Sequence, residues 1–470
     1  MSKQQIKGEK QPGKSNFIHP FSKIKTLEKE HSLIIERGEG CYVFDNTGKR
    51  YLEGLSGLWC VSLGFSQPRL VRAAAEQLER LPFYQCFGKH SHQPGADLAD
   101  KLASIAPTGL QHVLFANSGS EANDAAVKLA WYYNNALGRP EKKKIIARKQ
   151  SYHGVTVASG SLTGQERVHQ SFDLPIANIL HTDFPSYYHE RINGETEEEF
   201  SARIVSRLEN MILKEGPETI AAFIAEPVMT GRGVILPPRG YFENIQALLK
   251  KYDILFIVDE VVCGFGRTGN MFGSETYHLA PDMISVAKGL SSGYQPISAL
   301  LINGSLYDVL SQQSSKLGGF FHGTTYSAHP VAAAVALEVI NIYQEENILA
   351  NVKALAPYFG QRLKALESHP IVGETRSVGL LGGVELAADR EKRASFDGAL
   401  SVPAWVQEDA TKRGLIIRAS GQAIAICPPL IITREQIDEL FDILRRSLDA
   451  AYKKFKSGAG ADNYGNGETD

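Results

Sequence analysis

The stretch ILFIVDEVVCGFGRTG (residues 254–269) opens with five consecutive apolar residues and ends that run on Asp259. A short run that is apolar on both faces and bounded by turn signals marks a strand buried in a parallel sheet with helices on either side. The segment MISVAKG (residues 283–289) repeats the pattern, with Lys288 at its end. Similar runs lie at 112–115, 144–147, 220–225 and 297–302, separated by helical patterns. Strands alternating with helices imply right-handed βαβ units. The expectation is an α/β fold built on a doubly wound, mostly parallel sheet over residues 68–345.

The flanks read differently. GCYVFDNTGKRYLEG (residues 40–54) has the alternation and the Asn-Thr-Gly turn of a hairpin. After residue 345 the order becomes helix, a strand at 380–386, two hairpin-like strands at 415–417 and 423–426, and a last helix opened by Thr433. The expected organisation is an N-terminal arm and hairpin (1–67) joining a smaller α+β domain (346–456), with the large domain (68–345) between them. The polar arm to residue 16 and the Gly-rich tail at 457–470 are expected to be mobile.

The 470 residues are 43% hydrophobic and 22% charged, with 50 basic against 52 acidic side chains and a net charge of -2. So even a balance gives no electrostatic footprint for nucleic acid or an anionic membrane, and small molecules are the expected partners. Five scattered cysteines without a C-x-x-C pair argue against a disulfide framework or zinc ribbon. Residues 1–16 carry no apolar signal core, and the apolar-rich stretch at 331–343 is too short to span a bilayer. A soluble, cytoplasmic protein is expected. His90 and His92 are two apart and no acid/histidine cluster has ligand spacing, so no metal is expected.

Open parallel sheets bind ligands beyond the carboxyl ends of their strands. After the run at 112–115 comes Asn117-Ser118-Gly119-Ser120-Glu121, a turn at a helix start whose free N–H groups and hydroxyls make a phosphate seat or an ordinary cap. After 254–258 comes Asp259, and after 283–287 comes Lys288. A lysine desolvated in a crevice becomes a nucleophile toward carbonyls, and a carboxylate beside it can hold a protonated ring nitrogen. Phosphate, aldehyde and pyridinium are the handles of pyridoxal 5′-phosphate (PLP). Tyr152, after the strand at 144–147, supplies a flat face for its ring.

These residues sit in NSGSEAND, SYHG, DEVVCGFGRTG, AKGLSSGYQPISA and HGTTYSAHPVAAAVAL, which in this order resemble the class III aminotransferases of PLP fold type I, in the ω-amino acid:pyruvate and (S)-amine transaminase branch. The resemblance implies a mostly parallel large domain with a smaller α+β domain. It implies that Lys288 binds the cofactor aldehyde covalently and later carries the substrate proton, and that Asp259 pairs with the ring nitrogen. Ser118, Gly119 and Ser120 match the phosphate seat, Tyr152 the stacking residue with His153 beside it, and Val261 the apolar contact on the other ring face. Glu226, in IAEPV, matches a glutamate near the cofactor, and Thr325 a threonine reaching the phosphate from a partner subunit. The likeness implies a homodimer, or a tetramer of such dimers, with active sites at the dimer interface. Arg418 resembles the movable arginine that binds the acceptor's carboxylate; Trp59, Val262 and the partner's Phe87 match pocket positions. Gly88 and Thr324 depart from aromatics found in relatives.

The activity implied is transfer of an amino group from a primary amine or ω-amino acid to a keto acid, pyruvate first, by a ping-pong route. Donors such as γ-aminobutyrate, β-alanine, taurine or a diamine are the alternatives, as is another fold type I PLP enzyme. A nicotinamide enzyme lacks its G-x-G-x-x-G, since Gly264-Phe265-Gly266 runs on to Arg267-Thr268-Gly269. A non-catalytic PLP-binding scaffold is at odds with an intact Lys288 and Asp259.

Overall fold

The computed structural model describes residues 16–27 and 32–456. The polar arm up to residue 15 and the tail from 457 lie outside the described residues.

Among the described residues the central sheet has seven strands. These are β4 (Leu110–Ala116), β5 (Lys144–Arg148), β6 (Ile179–Thr182), β7 (Ile220–Ala225), β8 (Leu255–Asp259), β9 (Met283–Val286) and β10 (Ser298–Asn303), in the spatial order β4-β10-β9-β8-β7-β5-β6. Strands β6, β5, β7, β8 and β9 pair in parallel. Strand β10 runs antiparallel to both β9 and β4. All residues of β7, β8 and β9 are buried, which explains their unbroken apolar sequence. Strand β6 was not foreseen: four residues with His181 in the middle carry too little pattern.

The N-terminal hairpin pairs β2 (Tyr42–Asp45) with β3 (Arg50–Glu53), flanked by β1 (Ile35–Glu39). Its turn is held by Asp45, whose Oδ1 accepts from the backbone N–H of Thr47 (2.9 Å) and Lys49 (3.0 Å). Strand β13 (Leu415–Ile416) pairs in parallel with β3, so the hairpin shares a sheet with the C-terminal part of the chain.

A third sheet has the order β11-β12-β15-β14, from β11 (Val372–Val378), β12 (Leu381–Leu386), β14 (Arg418–Ser420) and β15 (Ala423–Ile426). Here the structure corrects the expected hairpin. The partner of β15 is Arg418–Ser420 and not 415–417, because the chain changes sheets at Ile417. Strand β11 was also missed; Glu374, Thr375, Arg376 and Ser377 hide its pattern. The last helix, Arg434–Lys456, is capped by Thr433, whose Oγ1 accepts from the Gln436 N–H (3.3 Å) while Gln436 reaches back to the Thr433 N–H (3.0 Å). Ile437, Leu440, Leu444 and Leu448 are all buried. Among the described residues no helix is long and apolar enough to cross a membrane.

Candidate active site

Strands β4, β5, β7, β8 and β9 leave the central sheet at one edge, and β10 enters it there. The residues just past these ends line one cavity of about 640 Å³. Along its wall are Ser118, Gly119 and Ser120 from β4, Tyr152 and His153 from β5, Glu226 from β7, Asp259 from β8 and Lys288 from β9. Topology thus gathers groups that lie up to 170 positions apart in the chain.

Asp259 is 4% exposed and held from three sides. Its Oδ2 accepts from Asn123 Nδ2 (2.8 Å) and lies 2.8 Å from His153 Nδ1, and its Oδ1 accepts from the Val261 N–H (3.0 Å). Asn123 also donates to the carbonyl of His153 (2.7 Å), tying the β5 loop to the acid. Glu226 fixes the same loop from the other side: Oε1 accepts from the Tyr152 N–H (3.0 Å) and Oε2 from Arg148 Nη2 (2.7 Å). Arg148, at the end of β5, is almost fully buried and donates as well to the Glu226 carbonyl (2.7 Å). Sequence reasoning passed over Asn123 and Arg148. Arg148 carried the same signal as Asp259, a charge closing an apolar strand.

Lys288 has φ 43, a left-handed conformation that costs a non-glycine residue about 1–3 kcal/mol and that clusters at functional sites. Burial pulls its ammonium below the usual lysine range, and the nearby Cys60 and Asp259 only partly oppose that shift. More of the lysine is therefore neutral near pH 7, the form that adds to a carbonyl and accepts a proton.

Ser118 caps the helix Gly119–Ala136, its Oγ accepting from the Glu121 N–H (3.2 Å). Ser120 Oγ likewise accepts from the Val155 N–H (3.2 Å), and both hydroxyls keep a proton to donate beside the first-turn N–H groups and the positive end of the helix dipole, a set suited to a phosphate. The wall needs small residues: a Cβ on Gly154 (φ +139) would lie 2.5 Å from Ser120 Oγ and 2.3 Å from Ser159 Oγ, and one on Gly119 would meet Val261 at 3.0 Å.

Of the expected substrate residues, Trp59, Val262 and Arg418 line the cavity. Trp59 is buried in a left-handed conformation (φ 67), on a loop anchored by buried Arg267, whose Nη2 donates to Ser56 Oγ (3.0 Å). Phe87 and Thr325 are exposed and outside the cavity of their own chain. Thr324, beside Thr325, accepts from Asn117 Nδ2 (3.0 Å).

Residues 25–448 match the family model described as aminotransferase class-III. The chain is a class III aminotransferase. It is 53% identical over 439 residues to a mitochondrial gamma-aminobutyrate transaminase 1 of Oryza sativa subsp. japonica, covering 93% of this chain and 85% of that one. With a chloroplastic gamma aminobutyrate transaminase 3 of Solanum lycopersicum it shares 54% over 426 residues, 90% of this chain and 82% of the other. Among solved structures, the omega transaminase from Pseudomonas jessenii in complex with PMP superposes with a TM-score of 0.93 at 47% identity, covering 94% of this chain and 98% of that one. A transaminase described with L-ala gives 0.89 at 52% identity, covering 90% and 100%.

Class III aminotransferases work with PLP, and this cavity fits it: a helix N-terminus walled by glycines for the phosphate, a partly desolvated lysine for the aldehyde and a fixed buried acid for the ring nitrogen. When bound, PLP supplies an aldehyde that joins the amine and a protonated ring that takes up the electron pair left by proton loss. The protein does the rest. Asp259, kept in place by Asn123 and His153, is the carboxylate that would hold the ring nitrogen, and Lys288 supplies the amine that would take the aldehyde. Val261 and Tyr152 furnish apolar surface on the cavity walls.

Proposed function

We propose that this aminotransferase moves the amino group of an ω-amino acid, 4-aminobutyrate first, to a small keto acid, pyruvate first, in a ping-pong cycle. The observation that carries the keto-acid half of this reading is Arg418: it is half-buried in the cavity wall, and no described carboxylate pairs with it. Burial, and then the like charge of Arg167, pull its pKa below the usual guanidinium range. A desolvated cation without an acid partner is a site for a substrate carboxylate, and a planar guanidinium takes one bidentately. The rice and tomato relatives, gamma-aminobutyrate transaminases by name, support the donor, and the likeness to the transaminase with L-ala supports the acceptor.

The reading includes a homodimer in which Thr325 reaches the partner's phosphate seat and Phe87 the partner's substrate pocket. Supporting it, Phe83, Tyr84, Phe87, Phe321 and Tyr326 are exposed apolar groups on the segments that carry those two residues. The test is a panel of donors, namely 4-aminobutyrate, β-alanine, taurine, a diamine and an arylalkylamine, each against pyruvate with alanine as the readout. Turnover of an ω-amino acid well above the arylalkylamine is expected. Preference for the uncharged amine would overturn the donor assignment.

A further inference from the structure

Arg167 lines the same cavity as Arg418 but lies farther out, exposed to solvent where Arg418 is half-buried. It is not left to wander. Its Nε and Nη2 both donate to Gln165 Oε1, at 3.2 and 2.9 Å. Gln165 is itself buried, and its Nε2 donates to the Gln150 carbonyl (3.4 Å), so a fixed amide aims the guanidinium.

Charge balance marks this side of the cavity as short of an anion. The positive field of Arg167 is felt by Arg418 and also by half-buried Arg232, whose pKa is lowered by burial and then by Arg167. Glu385, the acid that offsets Arg232, is committed to Arg376 Nη2 (2.8 Å) and His189 Nε2 (3.1 Å). Among the described residues, neither Arg167 nor Arg418 forms an ion pair with an aspartate or glutamate. The other acids of the cavity, Glu226 and Asp259, are held by Arg148, Asn123 and His153.

Two guanidiniums at different depths suit two carboxylates at different distances from the reacting carbon. In a 2-keto acid the carboxylate is attached to that carbon; in 4-aminobutyrate it is three carbons away. We propose that Arg167 is a specificity-determining residue that binds the distal carboxylate of an ω-amino acid donor, while the deeper Arg418 binds the carboxylate of the acceptor. This rests on the donor class proposed above and assigns its two carboxylates to separate residues. The held guanidinium loses little freedom on binding, which favours its use for recognition.

The test uses the holoenzyme and its Arg167→Gln and Arg167→Lys variants. Arg167→Gln should raise KM for 4-aminobutyrate about tenfold with kcat within about twofold, a loss in keeping with one charge-assisted hydrogen bond. KM for pyruvate and for an arylalkylamine should stay within about twofold, and Arg167→Lys should recover part of the loss. Independently of turnover, 4-aminobutyrate titrated calorimetrically into PLP-loaded Lys288→Ala enzyme should bind about tenfold more weakly once Arg167→Gln is added. An unchanged KM for 4-aminobutyrate, or an equal rise for the arylalkylamine, overturns the role of Arg167 and leaves the donor class standing. A wild-type enzyme that turns over the arylalkylamine but no ω-amino acid overturns both.

Discussion

Arg148 and Glu226 meet where β5 and β7 emerge, and replacing Arg148 with Met tests whether their pair holds the site. The pair is almost dry: the Arg148 side chain is 1% exposed and that of Glu226 9%, with Nη2 2.7 Å from Oε2. Met fills much of the volume but leaves Glu226 charged, buried and without its partner. Breaking a buried pair from one side costs about 3–5 kcal/mol, far more than the median surface salt bridge. Spread over the large domain, that corresponds to a fall in Tm of roughly 5–8 °C. Because Glu226 Oε1 also accepts the Tyr152 N–H, PLP retention should weaken with stability. The assay is differential scanning calorimetry of wild type, Arg148→Met, Glu226→Gln and the double variant. Glu226→Gln keeps an oxygen for Tyr152 and removes the stranded charge, so the double variant should be less destabilised than the sum of the singles, by about 1–3 kcal/mol. A Tm loss under about 2 °C for Arg148→Met, or strict additivity in the double variant, refutes the reasoning.

Lys288→Ala should lose amine transfer by at least about a thousandfold and the visible absorbance of covalently held cofactor; borohydride reduction of the wild type followed by peptide mapping should place the tag on Lys288. Arg418→Ala should raise KM for pyruvate at least tenfold while an arylalkylamine donor suffers little, and equal losses for both would mark the arginine as structural. Gly154→Ala forces a Cβ against Ser120 and Ser159 at a φ of +139, so PLP affinity measured by fluorescence quenching should fall by an order of magnitude or more. Burial lowers the His181 pKa from 6.5 to about 4. The folded state therefore resists its protonation, and the stability present above about pH 6.5 is lost as pH falls toward 4. The loss is at most about 3 kcal/mol, less what residual exposure screens. Tm against pH should be flatter below pH 6.5 in His181→Gln, and an identical slope would remove His181 from the acid sensitivity.

The residues with the strongest pattern were legible without coordinates. Asp259, Lys288 and Glu226 each end a strand too apolar to face water, and the Ser118–Ser120 turn precedes a clear helix, so their place at one sheet edge followed from the habits of parallel sheets. Arg148 gave the same signal, but a terminal arginine is usually solvated, and nothing local reveals that Glu226 is its partner. Asn123 sits in the helix Gly119–Ala136 like any helical polar residue, and only the packing of that helix against β8 turns it toward Asp259. Arg167 offered no pattern at all.

Local chemistry therefore determined which segments are strands and helices and which side chains wait at their ends, because hydrophobic periodicity, caps and turns act over a few residues. Tertiary structure alone decided the reversed direction of β10, the change of sheet at Ile417, and the partnerships of Arg148, Asn123 and Arg267. Those depend on contacts between residues far apart in the chain, whose energies arise only once water has been excluded and the partners are fixed in space.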